Sequence, residues 1–385
     1  MSWIIPETKL DDQQRDFIYN TDINRKNVWI KGFPGSGKSV LLAYTVKLKI
    51  KKDYPSASIC VVVFTHSLIA MFKAAFREMG LNVEVVTYYD FIKKGRSYDY
   101  VLVDEVQDLT PRILKELNRL GRHVIVCGDE NQSIYESDPQ FREATVRSSE
   151  ITSLLSANTF SLDIIHRLTR NIIEIVNKFL PNMNIFAARR DATKGSTQVK
   201  ICEAKNLNDE VKYIIEEGEK AVNVGSTVGV LIPSAKDIIE FVNCALRIKG
   251  KPEWSITLNR WGRTDFDDMN RHLSRNKVPL QYVGNGTGEF SETSRKMCIM
   301  TYHSAKGLDF ENVFLPFLSR RLFISRNEEL SKTLFMVAMT RSRNNLYLTY
   351  NGMKHDYISK FTGDCHNIKI GEQKPVFGGG IFGGV

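Results

Sequence analysis

Residues 29–43 read WIKGFPGSGKSVLLA, with an apolar run, a glycine-rich loop and a helix-forming run in that order. Gly32 to Ser39 fit the pattern G-x4-G-K-[S/T], whose glycines let the backbone wrap phosphates with its N–H groups pointing inward. The N-terminus of the following helix adds partial positive charge at the same place. The stretch predicts a phosphate-binding loop with nucleotide contacts at Gly32, Gly35, Ser36, Gly37, Lys38 and Ser39.

Apolar runs alternate with helix-period stretches along the rest of the chain. Predicted strands cover residues 28–31, 59–64, 83–87, 100–103, 123–127, 159–163, 198–202, 227–232, 297–301, 311–315 and 345–350. Predicted helices cover residues 38–51, 67–79, 111–120, 169–180, 208–221, 235–247 and 328–341. This alternation predicts an α/β fold with parallel sheets, arranged as two units that meet near residues 150–160.

A second chemical signal is VLVDEVQDL at residues 101–109, where a short apolar strand ends in acids. Burying a carboxylate without a partner costs several kcal/mol, about 2–7 for an ordinary polar group. A metal and a water molecule between the acids would make them tolerable. We expect the strand that carries them to lie next to the phosphate loop, with Asp104 and Ser39 holding Mg²⁺. Glu105 would then deprotonate the attacking water, which predicts hydrolysis of ATP.

The overall composition is that of an ordinary globular protein with a basic balance. The 385 residues carry a net charge of +9, which favours a polyanion such as nucleic acid, with a merely basic protein as the alternative. The six cysteines include no CxxC pair, which is typical of a reducing compartment. The start lacks a signal-peptide pattern, and no apolar run approaches the ~18–20 residues of a membrane span. We therefore expect a cytoplasmic protein without a membrane partner.

The motif DEVQD at residues 104–108 resembles the DExQD signature of superfamily 1 helicases of the UvrD/Rep/PcrA type. Other segments resemble motifs of that family in the same chain order, from about residue 10 to residue 350. They are LDDQQRDFI (10–18), VFTHSLIA (63–70), TYYDF (87–91), GDENQSIYE (128–136), LDIIHRLTRNI (162–172), MTYHSAKGLDFENVFLP (300–316) and LFMVAMTRSRNNLYL (334–348). The resemblance implies two tandem RecA-like domains that sandwich ATP between them.

The resemblance also implies roles for residues that pattern alone does not assign. Gln14 would read the adenine edge, and Asp309 would bond the ribose of ATP. Arg167 and Arg341 would neutralise charge on the γ-phosphate as Lys38 does, with a structural arginine as the alternative at each position. Gln132 would contact the γ-phosphate and couple hydrolysis to nucleic acid. Gln107 would link the Mg²⁺ end to the segments around residues 130 and 341.

The family resemblance further implies a binding surface for single-stranded DNA. Phe64 and Tyr135 would stack on bases, an interaction that tolerates any sequence. Thr65, Thr87 and His303 would contact phosphates. The alternatives are a plain core aromatic at Phe64 and a structural histidine at His303. No feature of the sequence reads a 2′-hydroxyl, so RNA stays open as the substrate.

The chain departs from the family pattern in its insertions. Relatives carry a large accessory domain between the segments that correspond here to residues 87 and 104, and only residues 88–103 lie there. The second insertion is reduced to about 250–296, enough for a small helical insert. We therefore expect ATP hydrolysis and single-strand binding to be retained, and a partner protein to supply what strand separation needs.

Individual side chains depart from the pattern too. Relatives follow the segment near residue 135 with a base-stacking tryptophan, which is missing here. Trp254 and Trp261 lie among basic residues and are a substitute stacking platform, with packing of the insert as the alternative. Val40 and His166 replace an arginine and a tyrosine that flank the adenine in relatives. Those two replacements predict weaker base selectivity, with ATP still preferred through Gln14.

These expectations define the predicted domains and functions. The first RecA-like domain covers residues 1–157, the second covers 158–352, and 353–385 form a tail whose glycine-rich end is either disordered or a docking peptide. The leading interpretation is an ATP-driven 3′→5′ motor on single-stranded DNA. The first alternative is a DNA-stimulated ATPase subunit beside, for example, a nuclease in defence or repair. The second is a non-enzymatic clamp, which the complete set of catalytic residue types disfavours.

Overall fold

The structure is a computed structural model, and two parallel sheets flanked by helices make up its fold. The residues that it describes are 4–129, 133–135, 137–138, 141–181, 189–190, 196–284, 286–288, 290–291 and 293–371, with 66–67 and 189–190 described by their backbone alone. The predicted α/β class with parallel sheets is confirmed.

The first sheet carries the phosphate loop and the acids. Its strands are β1 (Val28–Gly32), β2 (Ile59–Val63), β3 (Glu84–Thr87), β4 (Tyr98–Val103), β5 (Gly121–Gly128) and β6 (Asn158–Leu162). The helices of this part are α1 (Asp12–Asn20), α2 (Lys38–Tyr44), α3 (Lys51–Asp53), α4 (His66–Glu78), α5 (Tyr88–Lys94), α6 (Pro111–Leu120) and α7 (Ser148–Leu155), with a π-helical turn at Thr45–Ile50 between α2 and α3. The strand order is β3-β2-β4-β5-β1-β6.

Apolar residues on both faces explain why these strands lie inside the sheet. All five residues of β2 are buried, as expected for a parallel strand covered by helices on both sides. In β4, Tyr100 and Leu102 pack into one hydrophobic core, whereas Val101 and Val103 pack into the core on the opposite face. This alternation follows from the two-residue period of a strand.

The acids at the end of β4 lie next to the phosphate loop, as predicted, although their strand is not paired with the phosphate-loop strand. Strand β5 lies between β1 and β4, so the acid-bearing strand is not the direct neighbour of the phosphate-loop strand. Ser39, in the first turn of α2, still reaches Asp104 at the end of β4. Sheet order depends on long-range crossovers, which a local pattern does not encode.

Strand β6 corrects the predicted boundary between the units. The strand expected to open the second unit instead pairs with β1 in the first sheet, with Val28 aligned to Asn158. Helix α7 precedes it and returns the chain to the edge of the sheet beside β1, as a parallel crossover does. The start of the second unit at residue 158 was therefore wrong, and we propose a boundary after Leu162.

The second sheet follows a small pair formed by β7 (Ile164–Ile165) and β8 (Arg189–Arg190). Its strands are β9 (Gln198–Ala204), β10 (Val228–Ile232), β11 (Leu280–Tyr282), β12 (Met297–Thr301), β13 (Phe310–Leu315), β14 (Ser342–Asn351) and β15 (His366–Lys369). The helices are α8 (Arg170–Phe179), α9 (Leu207–Asn223), α10 (Ala235–Ile248), α11 (Phe266–Arg275), α12 (Glu328–Met339) and α13 (Asp356–Ser359). The strand order is β11-β12-β10-β13-β14-β9-β15.

The end of the described chain belongs to this sheet. Strand β15 pairs in parallel with β9, with His366 opposite Lys200. Residues 353–371 are therefore part of the second unit, and the prediction of a separate tail from residue 353 was wrong for them. The unpaired backbone groups of the edge strand β9 explain the addition. The glycine-rich end, residues 372–385, lies outside the described residues.

The two predicted insertion points hold little structure. Between β3 and β4 the chain forms α5 and a short loop, and the segment 250–296 contains α11 and the edge strand β11. The small helical insert is therefore confirmed, while β11 was not predicted. No helix in the described part of the chain is both long and apolar enough to cross a bilayer.

Side chains of the first half reach into the core of the second unit. Ile134 is fully buried in the hydrophobic core that contains Leu346 and Leu348 of β14. Phe33 of the phosphate loop and Tyr135 pack against the same core. The predicted nucleotide residues therefore lie where the two sheets meet.

Candidate active site between the two sheets

The phosphate loop runs from the end of β1 to the start of α2. Gly35 and Gly37 have φ angles of +76° and +81°, the left-handed region that side chains disfavour. A Cβ atom on Gly37 would lie 2.4 Å from Nε2 of Gln14, and one on Gly35 would lie 2.5 Å from Cβ of Arg167. Both glycines are therefore required by backbone conformation and by close neighbours.

The two polar residues after the loop bond within the site. Lys38 Nζ donates to the carbonyl oxygens of Gly32 at 2.8 Å and Phe33 at 3.0 Å. Ser39 Oγ donates to Oδ2 of Asp104 at 2.6 Å. The intervening strand β5 contributes Cys127, whose Sγ donates to the other oxygen of Asp104 at 3.0 Å. Cys127 was not predicted, because only the sheet order brings it to the acid.

Glu105 is held in an unusual backbone conformation at the mouth of the sheet. Its φ angle is +57°, which costs a non-glycine residue of order 1 kcal/mol or more. Gln107 Nε2 donates to Oε2 of Glu105 at 2.6 Å, and Gln107 Oε1 accepts from the backbone N–H of Asp129 at 3.2 Å. Gln107 thus links Glu105 to the segment after β5, as predicted. Its hydrogen bonds within the described residues do not reach the segment around Arg341.

Charges around the acids set their protonation. Burial raises the pKa of Asp104, and the neighbouring charge of Glu105 raises it further. Burial alone would also raise the pKa of Glu105, but the nearby charges of Lys306 and Lys38 and the bond from Gln107 lower it overall. Glu105 is therefore held ionised at neutral pH, as a residue that accepts a proton from water must be.

Lys306 of the second unit forms a buried ion pair with the first. Its Nζ lies 2.5 Å from Oδ2 of Asp108 and 3.7 Å from Oε2 of Glu105, and the side chains of Lys306 and Asp108 are only 5% and 1% exposed. Burial raises the pKa of Asp108 to about 6 despite the lysine, so both partners are charged at neutral pH. Lys306 was not singled out from the sequence, because its partner is 198 residues away.

Two arginines of the second part of the chain lie near Glu105. The guanidinium of Arg341 donates to the carbonyl oxygens of Val337 at 2.9 Å and Leu308 at 3.4 Å. The backbone N–H groups of His166 and Arg167 donate to the carbonyl of Gly35 at 2.9 and 3.2 Å. Burial and the nearby charge of Arg167 lower the pKa of Arg341 to about 9. A buried and a half-buried guanidinium group that repel each other indicate a place for a polyanion.

Asp309 lies among arginines in the same region. Its carboxylate is 3.8 Å from Nη1 of Arg167 and 3.2 Å from Nε of Arg343. Arg343 was not predicted, although it follows Arg341 by two residues. The ribose contact expected of Asp309 stays a prediction, and the ion pairs are what the structure adds.

The polar side chains around the phosphate loop fit a bound nucleoside triphosphate and a hard cation such as Mg²⁺. Within the described residues, the buried Ser36 hydroxyl and Arg167 Nε have no hydrogen-bond partner. No group of three or more His, Cys, Asp or Glu side chains in the described chain is placed to hold a metal ion. Ser39 and Asp104 instead offer the few oxygen ligands with which proteins bind Mg²⁺ when phosphates supply others.

The predicted adenine end combines the N-terminal helix with residue 166. Gln14 is buried; its Nε2 donates to the carbonyl of Ser36 at 3.4 Å, and its Oε1 accepts from the N–H of Asp11. Nε2 of His166 lies 2.5 Å from Oδ2 of Asp11. Burial would raise the pKa of Asp11, but its bonds with His166 and Gln14 lower it overall. Val40 is half-buried in the first-sheet core, and Asp11 was not predicted.

Four aromatic rings form a continuous group beside the acids, which we call the aromatic column: Phe64, Tyr88, Tyr135 and His303. The ring centroids of Phe64 and Tyr135 are 4.6 Å apart, and those of Phe64 and Tyr88 are 5.2 Å apart, both stacked. Tyr135 lies 5.8 Å from His303. Three of the predicted nucleic-acid residues, Phe64, Tyr135 and His303, thus lie together. Tyr88 was not predicted, because no local sequence pattern places its ring beside Phe64.

The two predicted threonines lie at helix starts. Thr65 Oγ1 accepts from the N–H of Leu68 at 3.3 Å, and Thr87 Oγ1 accepts from that of Asp90 at 3.1 Å, so each caps a helix. Burial and the charge of Lys306 lower the pKa of His303, which is therefore neutral at pH 7. Its contact with a phosphate would be a hydrogen bond rather than an ion pair.

Comparisons with known proteins agree with this arrangement. The AAA domain family matches residues 14–138, and the UvrD-like helicase C-terminal domain family matches residues 265–353. The first match spans the phosphate loop and the acids, and the second spans Lys306, Asp309 and Arg341. The chain belongs to the UvrD-like superfamily 1 helicases. Enzymes of this family hydrolyse ATP, and the predicted family is confirmed.

Individual relatives of this UvrD-like chain are distant. A probable DNA helicase II homologue of Mycoplasma capricolum is 26% identical over 209 residues, covering 51% of this chain and 24% of that protein. A putative ATP-dependent DNA helicase of Acanthamoeba polyphaga mimivirus is 23% identical over 287 residues, covering 70% of this chain and 37% of that protein. The chain thus spans well under half the length of these relatives.

A solved structure is also similar. The helicase nonstructural protein 10 of an arterivirus, solved with DNA, has a TM-score of 0.44 and 16% identity. The similarity covers 84% of this chain and 60% of that one.

The structure corrects one predicted nucleic-acid contact of the UvrD-like chain. Trp254 is 3% exposed, and its Nε1 donates to Oδ2 of Asp268 at 2.9 Å, so it packs the insert and offers no ring to a base. Trp261 is 67% exposed. Gln132, the predicted coupling residue, lies outside the described residues, and its role stays a prediction.

The different burial of the two tryptophans predicts different effects on stability. Trp254→Ala is expected to lower the free energy of unfolding by about 3–5 kcal/mol, because it removes a buried ring and one hydrogen bond to Asp268. Trp261→Ala is the matched control and is expected to change it by no more than about 0.5 kcal/mol. Urea denaturation of both variants measures this. Equal losses would contradict the buried position of Trp254.

Proposed function

We propose that this UvrD-like chain is an ATP-driven motor that moves along single-stranded DNA, with the 3′→5′ direction of its family. One observation carries the proposal. A single turn after β12 holds His303 in the aromatic column and Lys306 on Glu105 and Asp108. The Lys306 N–H donates to the carbonyl of His303 at 3.2 Å, which fixes the two residues in one turn. Movement of a DNA strand along the aromatic column would therefore shift Lys306 relative to Glu105 and Asp108.

The hydrolytic step uses groups from both units. Lys38, Arg167 and Arg341 would stabilise negative charge on the transferred phosphoryl group, in a buried site where such contacts are strong. Glu105, oriented by Gln107, would take the proton of the attacking water. Ser39 and Asp104 would hold Mg²⁺, which neutralises charge on the β- and γ-phosphates when bound. Gln132 would report the state of the γ-phosphate to the nucleic-acid side.

The aromatic column is the proposed path of the strand. Phe64 and Tyr135 are half-buried, and a base would stack at the exposed end of the column. Neutral His303 would bond a phosphate oxygen, and Thr65 and Thr87 lie at helix starts where phosphates are favoured. Stacking needs no base-specific contact, so the binding is expected to be independent of sequence.

Base selectivity is expected to be weak. His166 is held by Asp11, and Val40 packs into the core, so neither offers a charged or hydroxyl group to one particular base. We expect GTP to be hydrolysed at more than about a hundredth of the ATP rate, since one lost specific contact is worth roughly 1–3 kcal/mol. Steady-state rates with each nucleotide measure this. A lower GTP rate would mean that Gln14 alone selects the base.

A second function is favoured by the short insertions. Only α5 and a loop separate β3 from β4, and the second insert holds one helix and one short strand. A DNA-stimulated ATPase subunit that depends on a partner, such as a nuclease subunit in defence or repair, would need no more than this. Such a chain would hydrolyse ATP on a single strand but would not separate duplex alone.

The test is steady-state ATPase with and without oligo(dT), with oligo(rU) for the RNA alternative and Glu105→Gln as the inactive control. Strong stimulation by DNA, lost in the variant, supports the motor. Partial duplexes with 3′ or 5′ tails then give direction and separate the two functions. ATPase that responds to neither polymer would overturn the motor proposal.

A further inference from the structure

The insert displays an unusual apolar tip. Of the nine large hydrophobic side chains that are exposed in the described residues, three lie within six positions. Ile256, Leu258 and Trp261 are 59%, 64% and 67% exposed. Exposed single residues need no explanation, but a cluster around a tryptophan indicates a contact surface.

The tip is a structured hairpin, which we call the Trp261 hairpin (residues 256–265). Leu258 and Thr264 form an antiparallel bridge, and the N–H of Asn259 donates to the carbonyl of Arg263 at 2.7 Å. Oδ1 of Asn259 accepts from the N–H groups of Trp261 at 3.0 Å and Arg263 at 3.1 Å. Gly262 has a φ angle of +71°, which permits the tight turn. Trp261 is thus carried by a hydrogen-bonded hairpin rather than by an irregular loop.

The hairpin is fixed to the body of the insert. Thr257 Oγ1 donates to Oδ2 of Asp268 at 3.1 Å, the same oxygen that the buried Trp254 bonds. Asp268 belongs to α11, which begins directly after the hairpin. Because the hairpin is ordered before a ligand binds, less conformational entropy is lost on binding.

Topology places the hairpin at the edge of the sheet from which His303 emerges. Helix α11 runs into β11 and is antiparallel to it, and Phe266 at the start of α11 stacks on Tyr282 at the end of β11, with centroids 4.0 Å apart. Strand β11 pairs in parallel with β12, which ends two residues before His303. The hairpin therefore lies near the carboxyl end of the edge strand β11, at the same sheet edge as His303. Helix α11 packs on the sheet face opposite to the core that Tyr135 contacts, so a strand would reach the hairpin around this edge.

The chemistry of the tip suits a nucleic-acid strand. The guanidinium of Arg260 lies 4.0 Å from the ring centroid of Trp261, over one face, which leaves the opposite face for a base. Two of the acids beside it are paired, since Arg271 lies 3.8 Å from Asp265 and 3.4 Å from Asp268. An aromatic ring with arginines and neutralised acids is the composition of a single-strand stacking platform.

We propose that the Trp261 hairpin is a second contact for the single strand, where a base stacks on Trp261 and a phosphate pairs with Arg260 after the strand leaves the aromatic column. This inference rests on the proposed function, because it extends the path of the same strand. The reduced insert would then serve to extend the stretch of single strand that the protein contacts, rather than to bind duplex.

The test measures the affinity of the full chain for fluorescent oligo(dT) of increasing length by anisotropy. Trp261→Ala is expected to weaken binding of long oligonucleotides about tenfold, the effect of one lost stacking contact, and to leave the shortest bound lengths unchanged. Trp261→Phe is expected to keep most of the affinity because it still stacks. Tyr19→Ala, which removes another exposed ring, is the matched control and is expected to have no effect.

The outcomes separate this inference from the function on which it rests. Wild-type and Trp261→Ala proteins that bind every length equally would overturn the inference and assign the tip to a protein partner. A wild-type chain that binds no oligonucleotide would overturn the proposed function and the inference together. A tenfold loss confined to long oligo(dT), with DNA-stimulated ATPase on short oligonucleotides retained, would establish the second contact.

Discussion

Replacement of Glu105 by glutamine is expected to lower kcat for ATP hydrolysis by about 10²–10⁴-fold, the range for loss of a general base. A glutamine carbonyl can still accept the 2.6 Å bond from Gln107, so the local backbone should persist. It cannot accept a proton from water, which is the reason for the loss. Single-turnover hydrolysis gives the rate, and binding of a fluorescent ATP analogue should stay within a few-fold of wild type.

The matched control is Glu116→Gln, the same change on the exposed face of α6, where Glu116 pairs with Arg119. Its rate should equal that of the wild type. A Glu105→Gln chain that hydrolyses ATP within tenfold of wild type would mean that another group accepts the proton, and Asp104 would be examined next. Loss of nucleotide binding in the variant would instead indicate a collapsed site.

The second large effect is expected at Lys306. Lys306→Ala leaves Asp108 buried without its partner, which costs about 3–5 kcal/mol when a buried pair is broken from one side. Because the pair joins the two units, we expect a lower Tm and also the loss of DNA-stimulated ATPase. Thermal unfolding and the ratio of ATPase rates with and without oligo(dT) measure the two effects.

A double variant separates stability from coupling. Lys306→Met combined with Asp108→Asn removes both charges and is expected to recover most of the lost stability, since neither buried charge is left alone. Stimulation by DNA should not return, because the contact with Glu105 is still missing. Lys332→Ala, which removes a half-buried lysine paired with the exposed Glu329, should change stability by less than about 1 kcal/mol. Full stimulation in Lys306→Ala would show that the turn does not couple the sites.

Much of the fold and of the nucleotide site was predictable because the signals are local. The phosphate loop depends on glycines at fixed spacing, two of which adopt left-handed φ angles. Strands such as β2 are continuous apolar runs, and helices such as α6 begin at a capping threonine followed by proline. In each case a few neighbouring residues decide the backbone, so the prediction needs no knowledge of what packs against it.

The neighbours of each element were decided by tertiary structure. Nothing within residues 158–162 says whether they pair with β1 or open the second sheet, and either edge would satisfy their backbone groups. Strand β15 joined the second sheet for the same reason. Trp254 and Trp261 have similar local sequence context, yet one is buried and the other exposed.

The sequence by itself determined the class of fold, the phosphate loop, the acids after β4 and the family to which they belong, because these are written in short contiguous patterns. Only the tertiary structure decided that Lys306 pairs with Asp108, that Cys127 lies on Asp104 and that Tyr88 completes the aromatic column. Such contacts join residues far apart in the chain. Their free energy comes from burial and charge pairing in a folded interior, which no local pattern contains.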